Sequence, residues 1–74
     1  MEKIDWAKVE EEKKEIASRF GEIVLKTYYG YLIKSNNFFY GNIKGKEYEY
    51  IVGIFPRDNG LAEAVISLSP KYYL

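Results

Sequence analysis

The chain has no cysteine, no histidine and no glutamine among its 74 residues. Without cysteine, a disulfide and any metal site built on thiolates are excluded. The loss of both histidine and cysteine also removes the side chains that most often serve as general base and as nucleophile. No other set of residues forms a catalytic, metal or cofactor motif. We therefore expect a protein that is not an enzyme and that uses neither a cofactor nor a metal.

Neither sign of charge dominates, since 11 basic residues balance 11 acidic ones. Bulk electrostatics thus gives no reason to expect a nucleic-acid or membrane partner. No apolar run approaches the roughly 18 residues that a membrane span requires, and the N-terminus lacks the hydrophobic region of a signal peptide. A soluble, cytoplasmic protein is expected. Lysine and glutamate carry most of the charge, and with few thermolabile residues this pattern is typical of thermophile proteins.

The length predicts a single small domain over residues 1–74. A chain of this size buries only about 60% of the surface of its unfolded form. Its core is therefore small, and self-association would add to its stability.

An amphipathic helix is predicted over residues 5–20. Asp5 is a suitable N-cap, and Gly21 is expected to end the helix as a residue of positive φ. The apolar residues at helical spacing form one narrow stripe: Trp6, Val9, Ile16, Ala17 and Phe20.

Alternating apolar and polar residues predict strands over 22–34, 38–44 and 46–55. Gly30, in the middle of the first, suggests a bulge. The strand over 46–55 ends in a run that is apolar on both faces, and we expect it to be the central strand of a sheet.

Residues 61–69 are ambiguous. Their pattern fits a strand, and it also fits one face of a helix. The short preceding loop and the Val-Ile-Ser triplet favour the strand. Pro70 ends the segment in either case, and the tail over 70–74 has no local reason to be ordered.

These elements predict an α+β fold, with the N-terminal helix packed on one face of a four-stranded antiparallel β-meander. The alternative, with residues 61–69 helical, is αβββα.

Aromatic residues make up 18% of the chain, and most lie on the predicted strands. They can fill a small core, but the strands are apolar on both faces and one helix covers only one. The face predicted to pack on the helix holds Ile23, Leu25, Tyr29, Tyr48, Tyr50, Val52, Ile54, Ala64 and Ile66. The other face holds Val24, Tyr28, Leu32, Phe38, Tyr40, Ile51, Phe55 and Val65.

A contiguous exposed apolar surface usually marks an interaction site. We therefore predict a protein-interaction module that binds protein through this second face, most simply another copy of itself as a homodimer. Six residues are expected to line the contact: Tyr28, Leu32, Phe38, Tyr40, Ile51 and Phe55.

The alternative partner is single-stranded nucleic acid. Its bases would stack on Tyr28, Phe38 and Tyr40, while Lys26 and Lys44 would contact phosphates. The zero net charge and the glutamates on the same strands make this partner the weaker prediction.

Overall fold

The computed structural model describes residues 3–74. It contains one α-helix, five strands and a short 3₁₀-helix, which confirms the α+β class with one strand more than expected. The elements are α1 Trp6–Ser18, β1 Glu22–Lys26, β2 Tyr31–Lys34, β3 Tyr40–Lys44, β4 Glu49–Pro56, β5 Leu61–Leu68 and the 3₁₀-helix Pro70–Tyr72.

The helix begins where the sequence predicts and ends earlier. Asp5 is the N-cap, and its side chain accepts a hydrogen bond from the Lys8 N–H at 3.2 Å. α1 ends at Ser18 with Arg19 as its C-cap. Gly21 does not have a positive φ, so its predicted role was wrong. A Cβ at this position would collide with the Lys34 carbonyl oxygen, and this close approach explains the glycine.

The predicted strand over 22–34 is two strands, β1 and β2, which pair as an antiparallel hairpin. The irregularity lies between Ile23 and Leu25 and not at Gly30, as we had expected. Ile23 is opposite Ile33 and Leu25 is opposite Leu32, which leaves Val24 as the extra residue of a bulge.

Gly30 belongs to the β1–β2 turn, where the Thr27 N–H donates to its carbonyl oxygen at 2.7 Å. A side chain on Gly30 would collide with the Ala64 carbonyl oxygen. The turn therefore sits directly against β5, and its glycine is required by that contact.

Residues 61–68 form a strand, so the helical alternative was wrong. The tail is ordered, in contrast to the expectation from sequence. The Tyr72 ring packs edge-on against Tyr48 with ring centroids 5.2 Å apart, and its hydroxyl accepts from the Glu49 N–H at 2.9 Å. These two contacts hold the tail against the start of β4.

The sheet order is β1-β2-β5-β4-β3, and every pair is antiparallel. β5 returns between the two hairpins, so the arrangement is not the simple meander we predicted. The centre of the sheet is β5, and β4 is an interior strand one place away. The segment predicted to be central is thus interior but flanked by β5 and β3.

The core lies between α1 and one face of the sheet. α1 packs against β5, β2 and β1. Most of the predicted helix-facing residues are buried there or packed against it, but Leu25 and Tyr29 are 57% and 74% exposed. The bulge at Val24 reverses the phase of β1, which turns Leu25 to the other side of the sheet. The buried hydrophobic residues are Val9, Ile16, Ala17, Tyr31, Ile33, Tyr50, Val52, Ile54, Ala62, Ala64, Ile66 and Leu68.

Candidate interaction surface

The side of the sheet that faces away from α1 is only partly covered, and we call it the open face. Strand register defines its members, because residues opposite one another share a side of the sheet. The apolar members and the glycine of the open face are Leu25, Leu32, Tyr40, Ile51, Gly53, Phe55, Leu61 and Val65, and Phe38 continues the alternation just before β3. Its polar and charged members are Glu22, Lys34, Asn42, Lys44, Glu49, Glu63 and Ser67.

One row of the open face crosses four strands. Leu25 of β1 is opposite Leu32 of β2, Leu32 is opposite Glu63 of β5, and Glu63 is opposite Phe55 of β4. Leu25 and Phe55 are 57% and 50% exposed. The row is therefore apolar at both ends, with one carboxylate in its interior.

The next row contains Val65, Gly53 and Tyr40 on β5, β4 and β3. The Phe55 ring folds back over Gly53, so that a Cβ there would lie 2.8 Å from the ring, and Tyr40 borders the same space. The absence of a side chain at Gly53 thus leaves room for the Phe55 ring to lie over the β4 backbone, with Tyr40 at the border of the same space. Tyr40 is 79% exposed, so much of its ring surface is available for contact.

Glu63 is the one buried acid of this row, at 7% exposed. Its carboxylate accepts hydrogen bonds from the Thr27 hydroxyl and from the Arg57 guanidinium, both at 3.0 Å. The Thr27 hydroxyl in turn accepts from the Gly30 N–H at 2.9 Å. A paired and hydrogen-bonded carboxylate can remain in an apolar surface, whereas an isolated one is strongly disfavoured.

Sequence reasoning missed the Thr27–Glu63–Arg57 cluster. The alternation of β5 does place Glu63 on the second face. The two partners, however, come from a turn and from the β4–β5 loop, and their positions depend on tertiary structure. Only the proximity of Arg57 to Glu63 along the chain could have suggested the pair.

Of the six residues predicted to line the contact, four lie on strands of the open face: Leu32, Tyr40, Ile51 and Phe55. Phe38, 65% exposed, precedes β3 by two residues and shares the phase of Tyr40. Tyr28 lies apart in the β1–β2 turn, where its ring packs edge-on against Tyr29 at 5.1 Å and is 95% exposed. The structure therefore brings five of the six onto one side of the sheet, and it adds Leu25.

Lys26 and Lys44, the two lysines predicted to contact phosphates in the nucleic-acid alternative, lie on opposite sides of the sheet. Lys26 lies 3.2 Å from the Glu10 carboxylate of α1 and 5.9 Å from the centroid of the Tyr31 ring. The hydrogen bond from Lys26 to Glu10 raises the pKa of the lysine. These contacts hold Lys26 on the helix side of the sheet, away from Tyr40. Lys44 lies on the open side, opposite Glu49.

A second buried acid anchors the helix to the β3–β4 turn. Glu12 is 3% exposed, and its carboxylate accepts from the N–H groups of Glu47 at 3.3 Å and Tyr48 at 3.4 Å.

The buried hydroxyl of Tyr50 has no hydrogen-bond partner within residues 3–74. Burial, followed by the nearby Glu12 charge, raises the pKa of Tyr50. This cluster faces the core and supports the fold under the open face.

Other kinds of site find little support in the part of the chain that the structure describes. Residues 3–74 contain no group of three or more acidic residues placed to hold a metal ion. The helices formed by these residues are too short or too polar to cross a bilayer. Comparison with protein-family models, with curated proteins and with solved structures found no match.

Proposed function

We propose that this chain is a small non-enzymatic protein-interaction module that associates with a second copy of itself through the open face. The observation that carries the proposal is the group of exposed apolar side chains on the side of the sheet opposite α1. The four most exposed members are Leu25, Phe38, Tyr40 and Phe55, each at least half accessible to solvent.

The four residues supply part of the area that a dimer contact needs. With about 200 Å² for each large side chain, the exposed fractions of these four residues amount to roughly 500 Å². Such an area is at the upper end of the largest apolar patch on an ordinary monomer, about 300–600 Å². A stable interface needs about 800 Å² from each partner. Leu32, Ile51 and Val65, which are partly exposed, add to the total.

The buried charge at the centre of this face is compatible with a dimer contact. Glu63 already has Arg57 and Thr27 as partners within its own chain. A second copy could therefore cover the row without leaving an unpaired carboxylate, which would cost several kcal/mol. The open face is also the side of the sheet that α1 does not cover, and a small chain gains most from covering such a surface.

Sedimentation velocity between about 1 and 100 μM tests the proposal. The native chain is expected to form a reversible dimer, and Phe38→Glu should weaken association at least tenfold. Trp6→Glu is the matched control, because Trp6 is 58% exposed but lies on the helix, away from the open face. It should leave the dimer unchanged.

A native chain that remains monomeric throughout this range contradicts the proposal. The proposal is also contradicted if Phe38→Glu and Trp6→Glu weaken dimerisation equally. Tyr40→Ser gives a second variant that adds no charge, and circular dichroism verifies that each variant is folded. A gel-shift titration with a mixed oligonucleotide distinguishes the rival partner, since binding that falls steeply with salt would favour nucleic acid.

A further inference from the structure

The two edges of the sheet differ in their capacity to pair with another strand. β1 carries the bulge at Val24 and is flanked by Glu22 and Lys26, which form ion pairs with Lys34 and Glu10. A bulge and charged side chains are features that discourage strand addition. β3, at the other edge, has five residues in unbroken register with β4 and one charged side chain, that of Lys44.

The hydrogen bonds at both ends of β3 establish which backbone groups point outward. The Ile54 N–H donates to the Phe39 carbonyl at 2.8 Å, and the Gly45 N–H donates to the Tyr48 carbonyl at 2.7 Å. In an antiparallel ladder, backbone groups alternate between the two sides of a strand. The odd-numbered residues of β3 therefore bond to β4, and Tyr40, Asn42 and Lys44 direct their N–H and C=O groups away from the sheet.

We propose that β3 is a self-pairing edge, at which two copies of the chain join as antiparallel strands about a two-fold axis through Asn42. This register is the one that uses all three outward residues. Asn42 pairs with its own symmetry mate, and Tyr40 of each copy pairs with Lys44 of the other. Three pairs of this kind supply about six inter-chain hydrogen bonds.

The side chains are compatible with this register. Lys44 meets a tyrosine ring and not another lysine, so no like charges lie opposite one another across the junction. A lysine ammonium near an aromatic ring is mildly favourable. β3 holds no proline, which would remove an outward donor.

This contact goes beyond the proposed function and does not depend on it. Edge pairing produces one continuous ten-stranded sheet with both helices on the same side, and it leaves the open face uncovered. Either contact alone gives a dimer, and a chain that forms both gives a larger assembly, in which each kind of contact can be removed separately.

Disulfide trapping tests the register directly, because the chain has no native cysteine. Residues opposite one another in a hydrogen-bonded antiparallel pair have Cα atoms about 5.5 Å apart, which is within the range that a disulfide spans. Asn42→Cys should therefore form a covalent dimer under mild oxidation. Lys44→Cys is the register control, since four residue steps of about 3.4 Å would separate it from its mate. Glu22→Cys is the control on the opposite edge.

Asn42→Cys is expected to cross-link at least ten times faster than either control, and it should still do so when Phe38→Glu has weakened the open-face contact. Equal rates for the three variants, or no covalent dimer from Asn42→Cys, would overturn the edge proposal. Asn42→Pro gives a second test, because it removes an outward N–H that is not used within the chain. It should reduce the size of the assembly in sedimentation, and an unchanged size would also reject β3 as an interface.

Discussion

The Arg57 guanidinium lies 3.0 Å from the Glu63 carboxylate, and Glu63 is the only charged residue within the apolar row that crosses β1, β2, β5 and β4. Glu63 is almost completely buried, whereas the Arg57 side chain is 59% exposed. The arginine, which lies in the β4–β5 loop, thus neutralises a buried carboxylate on the open face. Without it, the carboxylate would retain the Thr27 hydroxyl as its remaining side-chain donor.

Arg57→Ala is therefore expected to destabilise the fold by about 1–2 kcal/mol, less than the loss of a fully buried pair because solvent screens the exposed arginine. Urea denaturation of the isolated variant measures the change. Arg19→Ala is the matched control, since Arg19 forms an ion pair with Glu15 at 2.8 Å in which both side chains are exposed. It should cost no more than about 0.5 kcal/mol, and equal effects of the two substitutions would argue against a special role for Arg57.

Glu12→Ala is expected to destabilise the fold by about 2–3 kcal/mol. The substitution removes the acceptor for the backbone N–H groups of Glu47 and Tyr48, and buried donors without a partner are costly. Hydrogen exchange at these two amides should accelerate more than at β5. Glu11→Ala, at an exposed neighbouring position, should change stability by less than about 0.5 kcal/mol. A similar loss from both alanines would show that helix composition and not the turn contact is responsible.

Local patterns were sufficient to predict the helix, its N-cap and most of the strand segments. Apolar spacing marks α1, and Asp5 caps it as expected. The alternation along β4 correctly placed Tyr50, Val52 and Ile54 in the core. These features depend on residues close together in the chain, and for that reason they can be read from sequence.

Strand order and the bulge could not be predicted, because both depend on contacts between distant residues. Nothing local to Val24 indicates that it is an extra residue, yet the bulge moves Leu25 to the open face. The position of β5 between β2 and β4 likewise could not be predicted from the sequence. In that position Ala62 and Ala64 of β5 are buried on the side of the sheet that packs against α1. Sequence predicted an uncovered second face, but not all of its members.

Gly30→Ala should destabilise the chain by about 2–3 kcal/mol, because the added methyl group collides with backbone and the turn must move away from β5. The movement should also disturb the hydrogen bond between Thr27 and Glu63. Gly60→Ala is the control: its φ of 72° disfavours alanine, but no atom lies within 4 Å of the new methyl group. It should cost about 1 kcal/mol. Thermal or urea unfolding would contradict this account if Gly60→Ala proved the more damaging.

Tyr50→Phe should make the protein less sensitive to alkaline pH. Burial and the Glu12 charge raise the pKa of Tyr50 in the folded chain, whereas in the unfolded chain the phenol titrates near its ordinary value of about 10. Above that pH the unfolded chain releases a proton that the folded chain retains, so ionisation favours unfolding. The stability that the protonated Tyr50 contributes is thus fully present below about pH 10. It is lost as pH rises further, and the free energy of unfolding falls by up to about 1.4 kcal/mol per pH unit.

Urea unfolding of the native chain and of Tyr50→Phe from pH 8 to pH 11 measures this difference. At pH 8 the two should be equally stable within about 1 kcal/mol, because the lost hydroxyl has no hydrogen-bond partner among residues 3–74. By pH 11 the variant should be the more stable. Tyr40→Phe, at an exposed position, should follow the native pH profile. Parallel profiles for the native chain and Tyr50→Phe would mean that the phenol ionises equally easily in both states, and that the cluster around Glu12 is open to water.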